Sequence, residues 1–290
     1  MKKVNEIFNP NKITIKGKST IVDTESGKYV IKEKQKDIKS LYNYLSSRDF
    51  NNYPQIIDEY DNNYVYEYLK DNPSPLNQKC VDMAKLLANL HYKTSYFKPI
   101  VKDEIKGVYE NILSNINYFE NYYQKLIDKA SNEEYPSPSN YLLLRNETKI
   151  NSLISYLKKE LEKWYKIVIN NEKERVVYNH NNLSIDHYIN DYFISWDNYQ
   201  IDTPVLDLIN LYKNDYNKYD YSNFLENYTK RFELLEEEKL LLFIIISLPD
   251  IKYLKEDELT NTIIIGKLIN YINSSEKLIR PYYSIEKKEE

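Results

Sequence analysis

The segment Tyr178-Asn179-His180-Asn181-Asn182-Leu183-Ser184-Ile185-Asp186-His187-Tyr188-Ile189 gathers two of the chain's three histidines and a run of short polar side chains between apolar neighbours. Polar loops on a rigid scaffold are where binding and catalytic groups concentrate. The alternative is a turn-rich connector whose Asn and Ser side chains bond their own backbone. Downstream, Phe193-Ile194-Ser195-Trp196-Asp197 reads as a strand ending in an acid that points back at this loop. Asp207 follows among Val205, Leu206, Leu208 and Ile209. A carboxylate in apolar surroundings is costly unless paired, so Asp207 is expected to anchor backbone amides of the polar loop. Upstream, Val30-Ile31-Lys32 reads as a strand on which Val30 and Lys32 share a face, so that Lys32 projects over a site roofed by a small sheet. A solvated strand lysine is the other reading. A Zn²⁺ centre of His180, His187, Asp186 and Asp197 is a third chemistry, although the spacing matches no recognised ligand motif. His91, on the apolar face of its helix, reads as a hydrogen-bonded core residue, and Cys80 as a small buried hydrophobe.

The elements that must hold these groups are readable in outline. Ile13–Lys16, Thr20–Asp23 and Lys28–Glu33 are β-branched runs, with Gly27 in the turn before the third. Asp37–Arg48 has helical spacing in Ile38, Leu41, Tyr42 and Leu45. Gln55–Tyr60 and Tyr64–Leu69 read as strands joined by Asp61-Asn62-Asn63. Asp71-Asn72-Pro73-Ser74-Pro75 is the clearest boundary, with Ser74 as a cap and Pro75 in a first helical turn. A helix is expected from Leu76 to Lys93, and long helical patterns over 103–132 and 147–171 are separated by Tyr135-Pro136-Ser137-Pro138-Ser139. A β-flavoured island follows at 175–196, with a turn at Asn190-Asp191, and helices resume after Thr203 and Pro204 to about Asn273. The tail from Glu286 to Glu290 reads as frayed.

Composition limits the choices. The 290 residues carry 40 Lys and Arg against 44 Asp and Glu, a formal charge of −4, which disfavours a nucleic-acid partner because phosphate backbones need a local basic excess. One cysteine excludes an intrachain disulfide framework and fits a reducing compartment. The longest apolar run, Leu240–Ile246, falls far short of the roughly 20 residues that span a bilayer, and no secretory pattern follows Met1-Lys2-Lys3, so a cytoplasmic location is expected. There are 31 Tyr against 8 Phe, and only 4 Gly. The tyrosines read as half-buried packing residues. The scarcity of Gly means that any nucleotide site is built without the usual glycine cradle.

Taken together, the segments resemble the aminoglycoside/choline-kinase-like phosphotransferases, which share the protein-kinase architecture; within that group the chain looks most like the spore-coat, CotS-type kinase-like proteins. Val30-Ile31-Lys32 resembles the strand lysine that pairs nucleotide phosphates, and Tyr66-Glu67-Tyr68-Leu69 the hinge between lobes. Leu86-Leu87-Ala88-Asn89-Leu90-His91 is similar to the family's LAxLH helix. His180-Asn181-Asn182-Leu183 stands where the family has His-Gly-Asp-Leu, Trp196-Asp197 resembles its metal-binding aspartate, and Asp207 matches its following buried aspartate. The likeness runs in order from about 12 to 212. It implies a two-lobed α+β fold: an antiparallel-sheet N-lobe over residues 1–70 and a larger, mainly helical C-lobe over 71–290, with the catalytic-loop-like segment at 178–197 and the site in the cleft between them. It implies ATP and Mg²⁺ as cofactors, Lys32, Glu67 and Tyr68 on the nucleotide, Asp197 and the position of His187 on metal, and His180, Asn182 at the catalytic Asp position and Asp207 as the catalytic set.

The departures from the family pattern are chemical. The loop pattern H-x-D-x-x-x-x-N places an Asp to orient or deprotonate the acceptor hydroxyl and an Asn on metal. Here Asn182 holds the Asp position and His187, five residues on, the Asn position. A carboxamide takes no proton at neutral pH, and imidazole is a poor ligand for Mg²⁺. Asp186 is placed to compensate; the glycine loop shrinks to Gly17; Asp37 is the candidate for the helix carboxylate that pairs the strand lysine. Two functions follow: a pseudokinase that binds nucleotide or scaffolds a protein partner in a coat or envelope assembly, or an active ATP-dependent kinase in which Asn182 orients a small polar acceptor.

Overall fold

The computed structural model describes residues 8–72 and 74–286. Met1-Lys2-Lys3, Pro73 of the expected boundary and the end of the charged tail, 287–290, lie outside the described residues. In chain order the elements are β1 (Lys12–Lys16), β2 (Ser19–Thr24), β3 (Gly27–Glu33), α1 (Ile38–Ser47), β4 (Ile56–Tyr60), β5 (Asn63–Glu67), α2 (Leu76–Thr94) and β6 (Tyr96–Pro99). The long helix α3 (Lys102–Ser131), the short α4 (Pro138–Arg145) and α5 (Glu147–Val168) follow, then β7 (Lys173–Asn179), β8 (Tyr188–Ile189), β9 (Tyr192–Phe193) and β10 (Gln200–Asp202). The chain ends in α6 (Val205–Asp215), α7 (Tyr221–Thr229), α8 (Glu236–Ser247) and α9 (Glu258–Glu286).

These elements form two compact units. One gathers the described residues up to Tyr96 together with Val176–Glu233; the other gathers Phe97–Arg175 with the described residues from Leu234 onward. Every residue singled out for chemistry belongs to the first unit.

In the first unit the N-terminal strands build one antiparallel sheet in the order β1-β2-β3-β5-β4. Alternation along β3 puts Ile31 into an apolar cluster with Val22 and Val65, against which Tyr29 and Tyr60 pack. Lys32 therefore points to the opposite face, where its register partner on β5 is Tyr64. The β1–β2 connection is a two-residue hairpin between Lys16 and Ser19, with Gly17 at φ +59 in its first central position. This is the place where such turns favour glycine, and it leaves no run of glycines to cradle a phosphate. On α1, Ile38, Leu41, Tyr42 and Leu45 form the buried face. Asp37 caps that helix, accepting from Ser40 N–H at 3.1 Å. Farther along, α2 packs on α7, and β7 pairs antiparallel with β10.

In the second unit α3 packs on α5, α5 on α8, and α4 on α9. The core comes from stripes at helical spacing, such as Ile112, Ile116, Phe119 and Tyr123 on α3 and Leu157, Leu161 and Trp164 on α5. The Arg175 guanidinium pairs with the buried Glu238 carboxylate, whose Oε2 also accepts Leu235 N–H at 2.9 Å.

Four local expectations are corrected. Pro75, not Ser74, precedes the first residue of α2, and no side chain caps that helix. The Pro-Ser-Pro-Ser stretch does lie between the two long helices, but it also starts a short helix that was not expected, α4: the Ser137 hydroxyl accepts from Asn140 N–H at 3.4 Å and Pro138 occupies the first turn. Trp196 and Asp197 do not end a strand; β9 stops at Phe193, and they lie in a 3₁₀ turn over Trp196–Asn198. The last helix continues past Asn273 because Ser275, Leu278 and Ile279 keep burying one face.

Candidate functional site

Lys32 and Asp197, 165 residues apart in sequence, meet. The Lys32 ammonium donates to Asp197 Oδ2 at 3.0 Å and to Ser195 Oγ at 2.9 Å. Both ends are largely withdrawn from water, with the lysine side chain 13% exposed and the aspartate 22%. The surroundings are aromatic: Tyr64 and Tyr66, on the same face of the sheet as Lys32, are buried and meet edge to face. Burial and the Asp197 charge push the phenols of Tyr42 and Tyr66 well above their ordinary range. Tyr42, Tyr66 and Ser195 are neighbours of the ion pair that sequence reasoning missed as such. Asp37, the expected partner of Lys32, is occupied in capping α1, and the ten residues of α1 contain no acid.

The loop beneath is held from α6. Asp207, fully buried, accepts His180 N–H at 2.8 Å on Oδ2 and Asn181 N–H at 2.7 Å on Oδ1. Its Oδ2 also faces His91 Nε2 at 3.3 Å, so that nitrogen carries the proton and His91 Nδ1 accepts from the Tyr228 hydroxyl at 2.7 Å. Eight residues on, two turns along the same helix, the buried Asp215 accepts Ile185 N–H at 2.8 Å. That second anchor was not expected, although an acid at i+8 from Asp207 is the signal for it. Asn181 takes a left-handed backbone, φ +54, and is fixed through its carboxamide, which donates to Asn198 O and accepts from Asn210.

The histidines divide in role. His180 is completely buried, and its Nε2–H donates to Ile194 O at 2.8 Å. Its Nδ1 is a buried acceptor without a partner among the described residues. Desolvation lowers its pKa from 6.5 to about 4, outweighing the attraction of Asp207, while His187 and Lys32 add repulsion. His180 is therefore a neutral wedge against Trp196, with ring centroids 4.8 Å apart. His187 is half-buried and sits on the loop differently: its Nδ1–H donates to the Asn182 carbonyl at 2.5 Å, which leaves Nε2 as a lone-pair donor. The Asn182 carboxamide has no hydrogen-bond partner among the described residues. Asp186 is exposed, and its charge acts on Lys218. The four-ligand Zn²⁺ centre is not assembled, since among the described residues no three His, Cys, Asp or Glu side chains come together to hold an ion. Glu67 uses its carboxylate to accept Gln55 N–H at 2.8 Å, and the Tyr68 ring is partly exposed, 5.9 Å from the Lys28 ammonium.

No family model matches the sequence, and no curated protein matches it. Solved structures do. The chain is similar to an aminoglycoside phosphotransferase from Alicyclobacillus acidocaldarius, with a TM-score of 0.65 and 11% identity over 94% of this chain and 92% of that one. It is similar to spectinomycin phosphotransferase bound to AMP, with a TM-score of 0.53 and 11% identity over 94% and 96% of the two chains. The same enzyme with ADP and spectinomycin gives 0.51 and 12%, over 96% of each. No described helix is long and apolar enough to cross a membrane.

The magnesium ion that this fold implies finds a poor donor set here. Asp197 offers one carboxylate, already bonded to Lys32 through Oδ2, and the ring at 187 offers a nitrogen where Mg²⁺ asks for oxygen. The residues do not fit a magnesium ion held by two protein oxygens. What likeness at this level of identity does establish is architecture: the chain has the mixed α+β fold of the aminoglycoside phosphotransferases, with an antiparallel N-terminal sheet and a helical C-terminal part.

Proposed function

We propose that this chain is a nucleotide-binding protein of the phosphotransferase fold that has lost its general base. Residues 1–70 are the lobe that carries the phosphate-gripping lysine, and 71–290 the lobe that carries the loop. The observation behind this reading is the contact of the Lys32 ammonium with Asp197 at 3.0 Å. It brings a cation for phosphates and an acid for a cation to one spot, above a loop whose backbone is fixed by Asp207. In this reading Glu67 and Tyr68 mark the segment that borders the base, and Asp207 and His180 position the loop without touching substrate. Asn182 stands where a proton acceptor is needed and cannot be one. Binding of AMP and ADP by spectinomycin phosphotransferase supports a nucleotide as the ligand. A scaffolding role toward a protein partner in a coat or envelope assembly belongs to the same reading and rests on the sequence resemblance alone.

A second reading, slow transfer to a small polar acceptor, is favoured by one observation. The Asn182 carboxamide is unengaged within the described residues and half-buried, so it is available to orient a hydroxyl. General-base catalysis supplies about 10²–10⁴-fold, and its loss leaves positioning in place.

Thermal melts with ATP and a divalent cation, run for Mg²⁺ and Mn²⁺ separately, test the proposal. Ligand at 100 times its dissociation constant adds about 2.7 kcal/mol of stability. The expected outcome is a shift in wild type that vanishes in Lys32→Ala. Absence of a shift with either cation removes nucleotide binding, and with it both readings. Nucleotide hydrolysis by wild type beside Asn182→Asp then separates the two. Turnover only in the variant supports a lapsed enzyme, and turnover in wild type supports the second reading.

A further inference from the structure

The short turn that carries Asp197 is gripped by two lysines that stand four residues apart. Lys32, near the end of β3, holds side chains: it donates to Asp197 Oδ2 and Ser195 Oγ. Lys36, just before α1, holds backbone: its ammonium donates to Tyr199 O at 2.6 Å and lies 4.9 Å from the centroid of the Tyr199 ring. Burial, and then the charge of Asp37, raises the Tyr199 phenol, so the ring stays neutral and offers its π face to the cation. The backbone under Lys36 is fixed. Lys34 N–H donates to Asn62 O at 2.8 Å, Lys36 O accepts Ile38 N–H at 3.0 Å, and Asp37 spends its carboxylate on capping α1. Lys36 itself is exposed, where a single contact contributes little to the stability of a folded chain.

The two grips respond differently to a ligand. A phosphate group carries up to two negative charges and three acceptor oxygens, so it competes with the single carboxylate of Asp197 for the Lys32 ammonium. The Lys36 bond ends on a main-chain carbonyl and is untouched by that exchange. Building on the nucleotide-binding reading, we infer that Lys36 is a positioning residue: it keeps the Asp197 turn seated when nucleotide phosphate draws Lys32 away from the acid. Asn181 Nδ2, donating to Asn198 O at 3.1 Å, holds the middle of the turn from the loop side, and Lys36 holds its end from the side of β3 and α1. Its contribution therefore appears in the nucleotide-bound protein, where the Lys32 grip is spent, and not in the empty one.

The experiment titrates the full chain with ADP, in Mg²⁺ and in Mn²⁺, by isothermal calorimetry. Wild type is compared with Lys36→Met, which keeps the stem and removes the donor, and with Lys36→Arg, which restores a donor and a cation that stacks on aromatic rings. Lys36→Met should bind ADP about three- to tenfold more weakly, the scale of one exposed hydrogen bond from a charged donor, because a seated turn is then only partly populated in the complex. Lys36→Arg should recover most of that loss. Acrylamide quenching of tryptophan supplies the second readout. Trp196, 2% exposed, is the first residue of the turn, and Trp164, in the other compact unit, gives a constant background. Quenching in Lys36→Met should match wild type without ADP and rise when ADP is added, a ligand-dependent change that a merely structural contact does not produce. Wild-type affinity in Lys36→Met overturns the inference. So does weaker binding with unchanged quenching, which makes Lys36 a bare charge that attracts phosphate, and so does quenching that rises without ADP. In each of those cases nucleotide binding stands. If wild type binds no ADP, or binding survives Lys32→Ala, the underlying reading falls and takes the inference with it. Ligand-free melts that coincide with wild type establish that the variants are folded, and Lys36→Gln replaces Lys36→Met should the latter melt early.

Discussion

Replacing Asp207 by Asn tests what holds the loop. The two side chains have nearly the same shape, so packing is preserved and only the hydrogen-bond chemistry changes. In the native protein one carboxylate, wholly buried, receives three donors: His180 N–H at 2.8 Å, Asn181 N–H at 2.7 Å and His91 Nε2–H at 3.3 Å. A carboxamide retains one oxygen. Its NH₂ group must then face a donor, either a loop amide or the imidazole. At least one bond to a charged acceptor is lost, worth about 1.5–3 kcal/mol, and a buried N–H is left unpaired at about 1–3 kcal/mol more. The sum, about 2.5–6 kcal/mol, is a large part of the 5–15 kcal/mol that typically holds a domain together. Rotation of His91 to its other tautomer could recover the 3.3 Å contact, but only by turning its Nδ1–H toward the Tyr228 hydroxyl; this limits the loss without removing it.

The assay is urea unfolding at neutral pH with linear extrapolation, followed by tryptophan fluorescence. Trp196 is a good reporter for the loop, since its ring lies 4.8 Å from that of His180 and its Nε1–H donates to Phe193 O at 2.7 Å. A destabilisation under about 1 kcal/mol would show that the three bonds are not charge-assisted anchors, and the account of Asp207 as the support of residues 180 and 181 would have to be abandoned.

Two other outcomes are expected. Stability should fall as pH drops from about 6.5 to about 4, because His180 has a folded-state pKa of about 4 against 6.5 unfolded; the unfolded chain takes up the proton first, and the full effect is about 3 kcal/mol. In His180→Gln the decline over that window should be shallower, and an unchanged slope would dismiss a buried neutral imidazole. The Cys80 thiol, 2% exposed and pushed up to about 12 by burial and then by Asp215, should resist a disulfide reagent in the native protein and label only on unfolding; labelling at the rate of a free thiol without denaturant would contradict its burial.

Much of the scaffold was legible because hydrophobic period carries it. The strands of the N-terminal sheet and the stripe on α1 follow directly from alternation and from helical spacing. The paucity of glycine was legible too, but not what replaces it. Outside Gly17 and Gly27, left-handed positions are filled by Asn and Asp: Asp49, Asp61, Asn181, Asn190 and Asp191 all have positive φ. Their side chains tolerate that region because they bond nearby backbone. Asn190 and Asp191 together make the two-residue turn between β8 and β9, as their sequence suggested. Ser195 is the exception. It has φ +69, a geometry no local rule assigns to serine, and this left-handed kink ends the extended run and opens the 3₁₀ turn of Trp196 and Asp197. The burial of Trp196 and the Lys32 bond to Ser195 are tertiary contacts that the sequence of the loop does not contain. The bond from Gln55 N–H to the Glu67 carboxylate is likewise a contact between separate segments that the sequence of either one does not contain.

The two chemical departures in the loop act on different quantities. Asn182 for a base removes about 10²–10⁴ in rate, equivalent to about 2.7–5.5 kcal/mol of barrier. Holding reactants in place is worth about 7–11 kcal/mol, and the groups that would do so here are the ones most firmly built: Asp207 and Asp215 on the loop backbone, neutral His180 behind it, and Lys32 on Asp197. An imidazole at 187, where the family pattern has an oxygen ligand, bears instead on positioning, because imidazole is a poor ligand for Mg²⁺. The informative comparison therefore crosses the two substitutions, Asn182→Asp and His187→Asn, singly and together, because only that design separates a lost base from an altered position at 187.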